Sequence, residues 1–239
     1  MRQETLKNNP NLTAKSVKVV EKILSKNDKK AAELREIYKK ENLYTINLMS
    51  SPGSGKTTLL ENLSHFQDFK FSVIEGDMQT NRDAERLQKK GIFAEQIATG
   101  EACHLEAEMV EKGYKALKSR NELEGKEYLI IENIGNLVCP ASYDLGAALN
   151  IILLSVPEGD DKVLKYPTMF LCADAVIISK SDMIEYFGFR VSQVQEDMNK
   201  LKPNIPIFLT SSKDLQTLKP LKDFIINCKL NNYQSSHQF

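Results

Sequence analysis

The sequence has no excess of either charge, no long apolar run and little cysteine, and each shortage removes a class of function. Lys and Arg number 32 and Asp and Glu 32, for a formal net charge of +0. No field of one sign is available to gather nucleic acid or an anionic membrane surface. Met1 to Pro10 are polar and contain no apolar targeting segment, and no later apolar run is long enough to cross a bilayer. Together these absences predict a cytoplasmic protein with no nucleic-acid or membrane partner. Four cysteines, Cys103, Cys139, Cys172 and Cys228, are too few and too scattered for a secreted disulfide framework, which predicts reduced thiols. Internal repeats and low-complexity linkers are also missing. The 239 residues are enough for one large α/β domain, or a smaller domain with an arm.

What is present begins with a loop, Ser50-Ser51-Pro52-Gly53-Ser54-Gly55-Lys56-Thr57-Thr58, which follows the apolar run Leu43 to Met49 and opens a helical pattern. Gly53 and Gly55 let the backbone turn so that successive N–H groups face phosphate oxygens at a positively polarised helix N-terminus. Lys56, read as an exposed loop lysine, reaches the β- and γ-phosphates, and Thr57 holds Mg²⁺. Gly53, Ser54, Gly55, Lys56, Thr57 and Thr58 are therefore nucleotide-binding candidates. One position departs from the pattern G-x-x-x-x-G-K-[ST]: Ser50 stands in place of its first Gly.

Upstream, residues 13–26 place Val17, Val20, Ile23 and Leu24 on one helical face with Thr13 as cap. Asp28 is placed to cap a second helix in which Ala31, Leu34, Ile37 and Tyr38 face one way, ending near Asn42. The spacing thus predicts a helical arm over 1–42, packed on the main domain, and a phosphate-loop domain over 43–239. From Leu43 onward apolar strands alternate with helices, which predicts an α/β fold with a mostly parallel sheet flanked by helices. The strands are expected at Leu43–Met49, Phe71–Glu75, Phe93–Ala98, Tyr128–Glu132, Leu149–Val156, Ala175–Ser179 and Ile205–Thr210. Helices are expected over Thr57–Phe66, Asn81–Lys90, Leu105–Lys118, Val191–Leu201 and Leu215–Lys229.

In such sheets ligands bind beyond the carboxyl ends of the strands. After the second strand stands Asp77 and at the end of the fourth Glu132, acids suited to hold Mg²⁺ or position the attacking water. Lys56, Asp77 and Glu132 are the catalytic candidates, and Thr57, Asp77 and Glu132 the magnesium candidates. Gly135 lets a backbone N–H approach the γ-phosphate. The sixth strand ends in Ser179-Lys180-Ser181-Asp182 and the last in Thr210-Ser211-Ser212-Lys213, similar to the guanine-reading N-K-x-D and S-A-K segments of GTPases. A carboxylate at Asp182 accepts from guanine N1–H and the 2-amino group, and the Lys180 stem lies along the purine. Ser211, Ser212 and Lys213 complete the base site. Ser179 replaces the usual Asn and so predicts the loss of a tie to the phosphate loop. No arginine is evident near these loops, which predicts turnover on the order of 10⁻⁴ to 10⁻² per second.

Cys103, His104 and Cys139 all lie in loops that follow strands. Thiolate and imidazole suit Zn²⁺, Ni²⁺ or copper, and Cys139 lies in the loop expected to sense the γ-phosphate. Cys172 and Cys228 read as small buried apolar residues, and His65 and His237 as isolated surface residues. Two other classes share parts of this pattern. A small-molecule kinase would have the phosphate loop but should bind ATP, which Ser179-Lys180-Ser181-Asp182 argues against. A non-catalytic nucleotide-dependent scaffold would not need Lys56, Thr57, Asp77 and Glu132 intact.

The whole set resembles the hydrogenase nickel-incorporation GTPases of the HypB family, relatives of the urease accessory GTPase UreG in the SIMIBI class. The resemblance runs from about Leu43 to the end of the chain. It is carried by Ser51–Thr58, Glu75-Gly76-Asp77, Thr99-Gly100-Glu101-Ala102-Cys103-His104-Leu105, Glu132–Pro140, Val156–Lys162 and Lys165-Tyr166-Pro167. It implies a SIMIBI G-domain that binds GTP and GDP with Mg²⁺, and hydrolysis that times a metal handover. It also implies Ni²⁺ or Zn²⁺ at Cys103, His104 and Cys139, near the interface of a GTP-dependent homodimer. The implied partners are a nickel chaperone such as HypA and the [NiFe]-hydrogenase large-subunit precursor, with urease as a possible second client. Many members begin with a Cys- or His-rich nickel stretch. Here no Cys precedes Cys103 and no His precedes His65, so that storage function is not expected.

Overall fold

The computed structural model describes residues 14–77, 82–100 and 102–235, with side chains described from residue 22 to residue 232. The expected cap at Thr13, the face at Val17 and Val20, and His237 lie outside the described side chains. Seven strands form one sheet: β1 (Tyr44–Ser50), β2 (Phe71–Asp77), β3 (Ala94–Ala98), β4 (Tyr128–Glu132), β5 (Leu149–Ser155), β6 (Ala175–Ser179) and β7 (Ile207–Thr210). Their order is β3-β2-β4-β1-β5-β6-β7, and every neighbouring pair is parallel. The strand that feeds the phosphate loop is thus central, between β4 and β5.

A parallel sheet is covered on both faces, so its strands are largely buried and mostly apolar. In β1 Ile46 and Leu48 join one core cluster with Ile130, Ile151, Leu153 and Ile177, while Met49 joins another on the opposite face with Ile152, Leu154 and Ile178. A third cluster covers the β2–β4 half of that second face with Leu129, Ile131, Val110 and Tyr114. The sheet edge where strands end is therefore rigid, and the loops leaving it are what can differ between states.

The N-terminal segment forms one continuous helix, α1 (Ala14–Lys40), where the sequence suggested two. Asn27 and Asp28 look like a break because such side chains compete for the backbone. Asn27 instead works across the fold: its Nδ2 donates to the Asp144 carbonyl at 2.8 Å, and its Oδ1 accepts from Ala107 N at 2.8 Å. That residue begins α4 (Ala107–Ser119), the first helix after β3 beyond α2 (Lys56–Leu63) and α3 (Arg82–Lys89). Ala31, Leu34 and Tyr38 pack into the third cluster, with Tyr38 edge-on to Tyr114 at 5.4 Å. Arg35 makes a forked pair with Asp144 at 2.9 Å. The helix ends at Lys40, and in the turn beyond it Asn42 takes a left-handed φ of 55° that lets Leu43 N bond back to the Tyr38 carbonyl at 2.9 Å.

Elsewhere the expected elements differ from the observed ones by up to three residues, the largest difference being the helix expected over Thr57–Phe66, which ends at Leu63. Short helices over Lys162–Lys165, Pro167–Leu171 and Ile184–Phe187 were not expected, and the C-terminal side differs more. There the expected helix over Leu215–Lys229 is a 3₁₀ turn, Leu215–Leu218, capped by Asp214, followed by a helix over Lys219–Ser235. Among the described residues, no helix is long and apolar enough to cross a membrane.

Leu34 is 0% exposed and shares its cluster with no phosphate-loop residue. Leu34→Ala is expected to lower the unfolding free energy by about 2–5 kcal/mol in urea titration, with nucleotide affinity unchanged. A loss within the roughly 0.5 kcal/mol of an ordinary surface substitution would contradict the packing of α1 as part of the core.

Candidate functional site

β1 ends at Ser50 and α2 begins at Lys56, so five residues turn the chain through the sheet edge. Gly53 and Gly55 take left-handed φ of 71° and 96°, which a side chain would strain. Lys56 is 9% exposed, not the exposed lysine the sequence suggested, because it folds back to donate to Ser50 Oγ at 3.0 Å. The Ser that replaces the first Gly of the pattern thus supplies a rest position for the phosphate-binding ammonium. Ser54 Oγ lies 2.6 Å from the Ser51 carbonyl and 2.9 Å from Glu158 Oε1. Glu158, not chosen from the sequence, also accepts from Ser155 N at 3.0 Å and Ser155 Oγ at 2.6 Å, tying β5 to the loop.

Below the loop, Thr57 Oγ1 donates to Glu132 Oε1 at 3.0 Å. Glu132 is 3% exposed, and its Oε2 is buried without a hydrogen-bond partner. Glu75 is its register partner on β2, is likewise 3% exposed, and has a buried Oε2 without a partner. Burial raises the Glu132 carboxyl to about 7, against the opposing charge of Lys56. Burial raises Glu75 to about 8, with the charge of Glu132 adding to it. Glu75 was missed because an acid near a strand end reads as a helix cap; its sequence signal is its position inside an apolar strand. Asp77 ends β2, half-buried, and its carbonyl accepts from Thr99 N at 3.0 Å. A hydroxyl beside buried carboxylate oxygens that lack partners is a donor set of hard oxygens, which fits Mg²⁺.

An arginine does stand near this loop. Arg86 on α3 lies 3.5 Å from Thr58 Oγ1, with its guanidinium held by Glu61 at 2.9 Å and Asp83 at 3.2 Å. The expectation of none failed because Arg86 is far from the loop in sequence and is brought over by the packing of α3.

The β6 and β7 ends meet on the other side of the loop. Ser54, Thr58, Ser179, Lys180, Ser211 and Ser212 line one groove there. Asp182 Oδ1 accepts from Ser211 Oγ at 2.7 Å, and Oδ2 pairs with Lys213 Nζ at 2.8 Å. Lys213 and Ser211 together hold the Asp182 carboxyl below its ordinary range. Lys180 takes a left-handed φ of 57°, and its Nζ donates to the Gly53 carbonyl at 2.8 Å. Ser179 corrects an expectation: its hydroxyl donates to the Ser54 carbonyl at 2.7 Å, so the tie to the phosphate loop is kept. A hydroxyl suffices because β6 brings Ser179 directly against the loop.

The third group is Cys103, His104 and Cys139, whose ligand atoms all lie within 4.8 Å of one another. Cys103 Sγ is 2.9 Å from Cys139 Sγ and 3.9 Å from His104 Nδ1. His104 stacks on Tyr143 at 3.8 Å between ring centroids, and its buried Nε2 has no hydrogen bond, Glu106 Oε1 being 3.7 Å away. The neighbouring Cys103 thiol raises that of Cys139 above its ordinary value. Two thiols and an imidazole this close form a soft, three-ligand set that suits Zn²⁺ or Ni²⁺ by ligand type. Cys172 donates to the Met169 carbonyl and Cys228 packs against the core, both apart from this group.

One loop connects the groups. From Glu132 the chain passes Gly135, where an added Cβ would fall 2.8 Å from Pro52 Cα and N, and reaches Cys139 four residues later. The post-β4 loop therefore lies directly against the phosphate loop.

Comparison with known proteins finds similar sequences and structures. Residues 44–209 match the CobW/HypB/UreG nucleotide-binding domain model. The chain is 69% identical over 238 residues to the hydrogenase/urease maturation factor HypB of Helicobacter pylori, covering 100% of this chain and 98% of that protein. The crystal structure of HypB from Helicobacter pylori in complex with nickel superposes with a TM-score of 0.86, covering 90% of this chain and 100% of that chain. The hydrogenase maturation factor HypB of Archaeoglobus fulgidus, 34% identical, superposes with a TM-score of 0.77 over 86% of this chain and 100% of that chain.

Glu75 and Glu132 hold their protons more tightly folded than unfolded. The stability tied to them is complete below their unfolded pKa near 4.3 and is lost as pH rises through about 7 and about 8. The melting temperature of nucleotide-free protein should therefore fall between about pH 5 and 8, and Glu75→Gln should flatten that fall. An unchanged slope in Glu75→Gln would contradict the placement of this acid.

Proposed function

The chain belongs to the HypB maturation factors of the CobW/HypB/UreG family, and on that footing we propose that it is a GTP-hydrolysing metallochaperone. Its cargo is Ni²⁺, delivered to the large-subunit precursor of a [NiFe] hydrogenase, with urease maturation as a second destination. The observation that carries the reading is the loop from Glu132 to Cys139, which abuts the phosphate loop at Gly135 and ends at a metal-ligand candidate.

The residues divide the work. Lys56 and the loop N–H groups take the β- and γ-phosphates, and Thr58 flanks them. Asp182 reads guanine N1–H and the 2-amino group, held ready by Ser211 and Lys213, while Lys180 covers the base and Ser212 closes its edge. Thr57, Asp77 and Glu132 would hold Mg²⁺, which neutralises charge developing on the phosphates. Gly135 leaves room for a backbone N–H at the γ-phosphate. Cys103, His104 and Cys139 bind the cargo as thiolates and neutral imidazole, so binding releases protons and weakens as pH falls. GTP favours a homodimer, with the metal at or near its interface, and a nickel chaperone such as HypA loads it. Turnover is slow, since Arg86 is engaged by Glu61 and Asp83.

Two measurements test this. In competition binding, Asp182→Asn should weaken GTP and move preference towards xanthosine triphosphate, whose 2-position carries an oxygen; an unchanged GTP-over-ATP preference would mean that another residue reads the base. In equilibrium dialysis, Cys103→Ala, His104→Ala and Cys139→Ala should each weaken Ni²⁺ binding while Cys172→Ala and Cys228→Ala do not. Equal loss in all five would dismiss the assigned site.

A further inference from the structure

Two asparagine amides grip the loop between Glu132 and Cys139, one at each end. At the nucleotide end Asn133 Nδ2 donates to Asn47 Oδ1 at 3.1 Å, and Asn47 Nδ2 donates to Asn150 Oδ1 at 3.0 Å. Asn133 N also donates to the Leu48 carbonyl at 2.9 Å, extending the β1–β4 pairing by one residue. Asn133 and Asn47 are 1% and 3% exposed, so this end is fixed to the centre of the sheet. At the metal end Asn136 Nδ2 donates to the Cys103 carbonyl at 3.2 Å, and Asn136 Oδ1 accepts from Val138 N at 2.8 Å. One side chain therefore joins the backbone of one thiol ligand to the backbone immediately before the other. The two cysteines are 36 residues apart and leave different strands, β3 and β4.

Between the two grips lies Gly135, against Pro52 of the phosphate loop. A shift of Gly135 cannot be absorbed at Asn133, which the sheet holds, and passes to Asn136. We propose that Asn136 is a positioning residue that sets the spacing of Cys103 and Cys139 and transmits the state of the phosphate loop to them. This rests on the reading of Cys103, His104 and Cys139 as the cargo site. Asn136 is assigned no contact with nucleotide or metal; it acts through the two backbones it joins and through its side-chain hydrogen bond to the Cys139 thiol.

The test uses the full chain loaded with GDP or with a non-hydrolysable GTP analogue, titrated with Ni²⁺ and, separately, Zn²⁺. Asn136→Ala removes the hydrogen bonds to the Cys103 carbonyl, Val138 N and the Cys139 thiol. Asn136→Asp keeps the acceptor for Val138 N but sets a carboxylate oxygen against the Cys103 carbonyl. Both variants should bind metal about 10- to 100-fold more weakly, the range seen when groups that orient metal ligands are removed. Both should narrow the difference between the two nucleotide states while GDP affinity stays at the wild-type value, a split that general loss of structure would not produce. Wild-type metal affinity and nucleotide dependence in both variants, with metal binding lost in Cys139→Ala, would overturn the role of Asn136. Wild-type metal affinity in Cys139→Ala as well would overturn the cargo-site reading, and this inference with it.

Discussion

The hydrogen bond from Thr57 to Glu132, 3.0 Å long and buried, joins the phosphate loop to the strand from which the Cys139 loop departs. The other arrangements at this edge depend on it. Glu132 keeps one oxygen for that bond and one without a partner, beside Glu75 in the same condition. Burial makes both carboxyls hold their protons despite the nearby charge of Lys56, and a divalent cation arriving with nucleotide would reverse that balance. The sheet can bear this because β4 lies between β1 and β2, with both faces packed.

The two thiol ligands stand in matching relation to this acidic centre. Cys139 follows Glu132 through the loop that crosses Pro52. Cys103 follows β3, whose last residue pairs with Asp77, and Thr99 N bonds back to the Asp77 carbonyl at 3.0 Å. Each thiol is thus a short chain segment away from one acid assigned to Mg²⁺. In the proposed coupling, movement of either acid would reach the thiol pair along these segments without crossing the hydrophobic core. The proposed coupling is reciprocal, so metal bound between the loops would also alter nucleotide affinity.

The sheet was legible because each strand is an apolar run bounded by turn residues, and the phosphate loop because its Gly and Lys spacing admits few other uses. Cys103, His104 and Cys139 were legible as ligand types, and the structure brings their ligand atoms together. What the sequence hid were side chains that work across the fold. Asn27 reads as a helix break and is a bridge to Ala107 and Asp144. Ser179 reads as a lost tie and keeps it through a hydroxyl. Lys56 reads as exposed and is folded onto Ser50. Glu75, Arg86 and Asn136 gain their roles from partners distant in sequence that no local period or spacing signals, whereas Glu158 carries a local signal, the Ser155-x-x-Glu158 capping box.

The central claim is that nucleotide state sets metal affinity through the Glu132–Cys139 loop. Its most direct test is a titration of Ni²⁺ into wild-type protein loaded with GDP and with a non-hydrolysable GTP analogue, with molecular mass followed in parallel. The account predicts that the analogue raises the mass to that of a dimer and changes Ni²⁺ affinity by roughly 5- to 150-fold, the usual span of coupling between linked sites. Equal Ni²⁺ affinities and equal masses in the two states would contradict it.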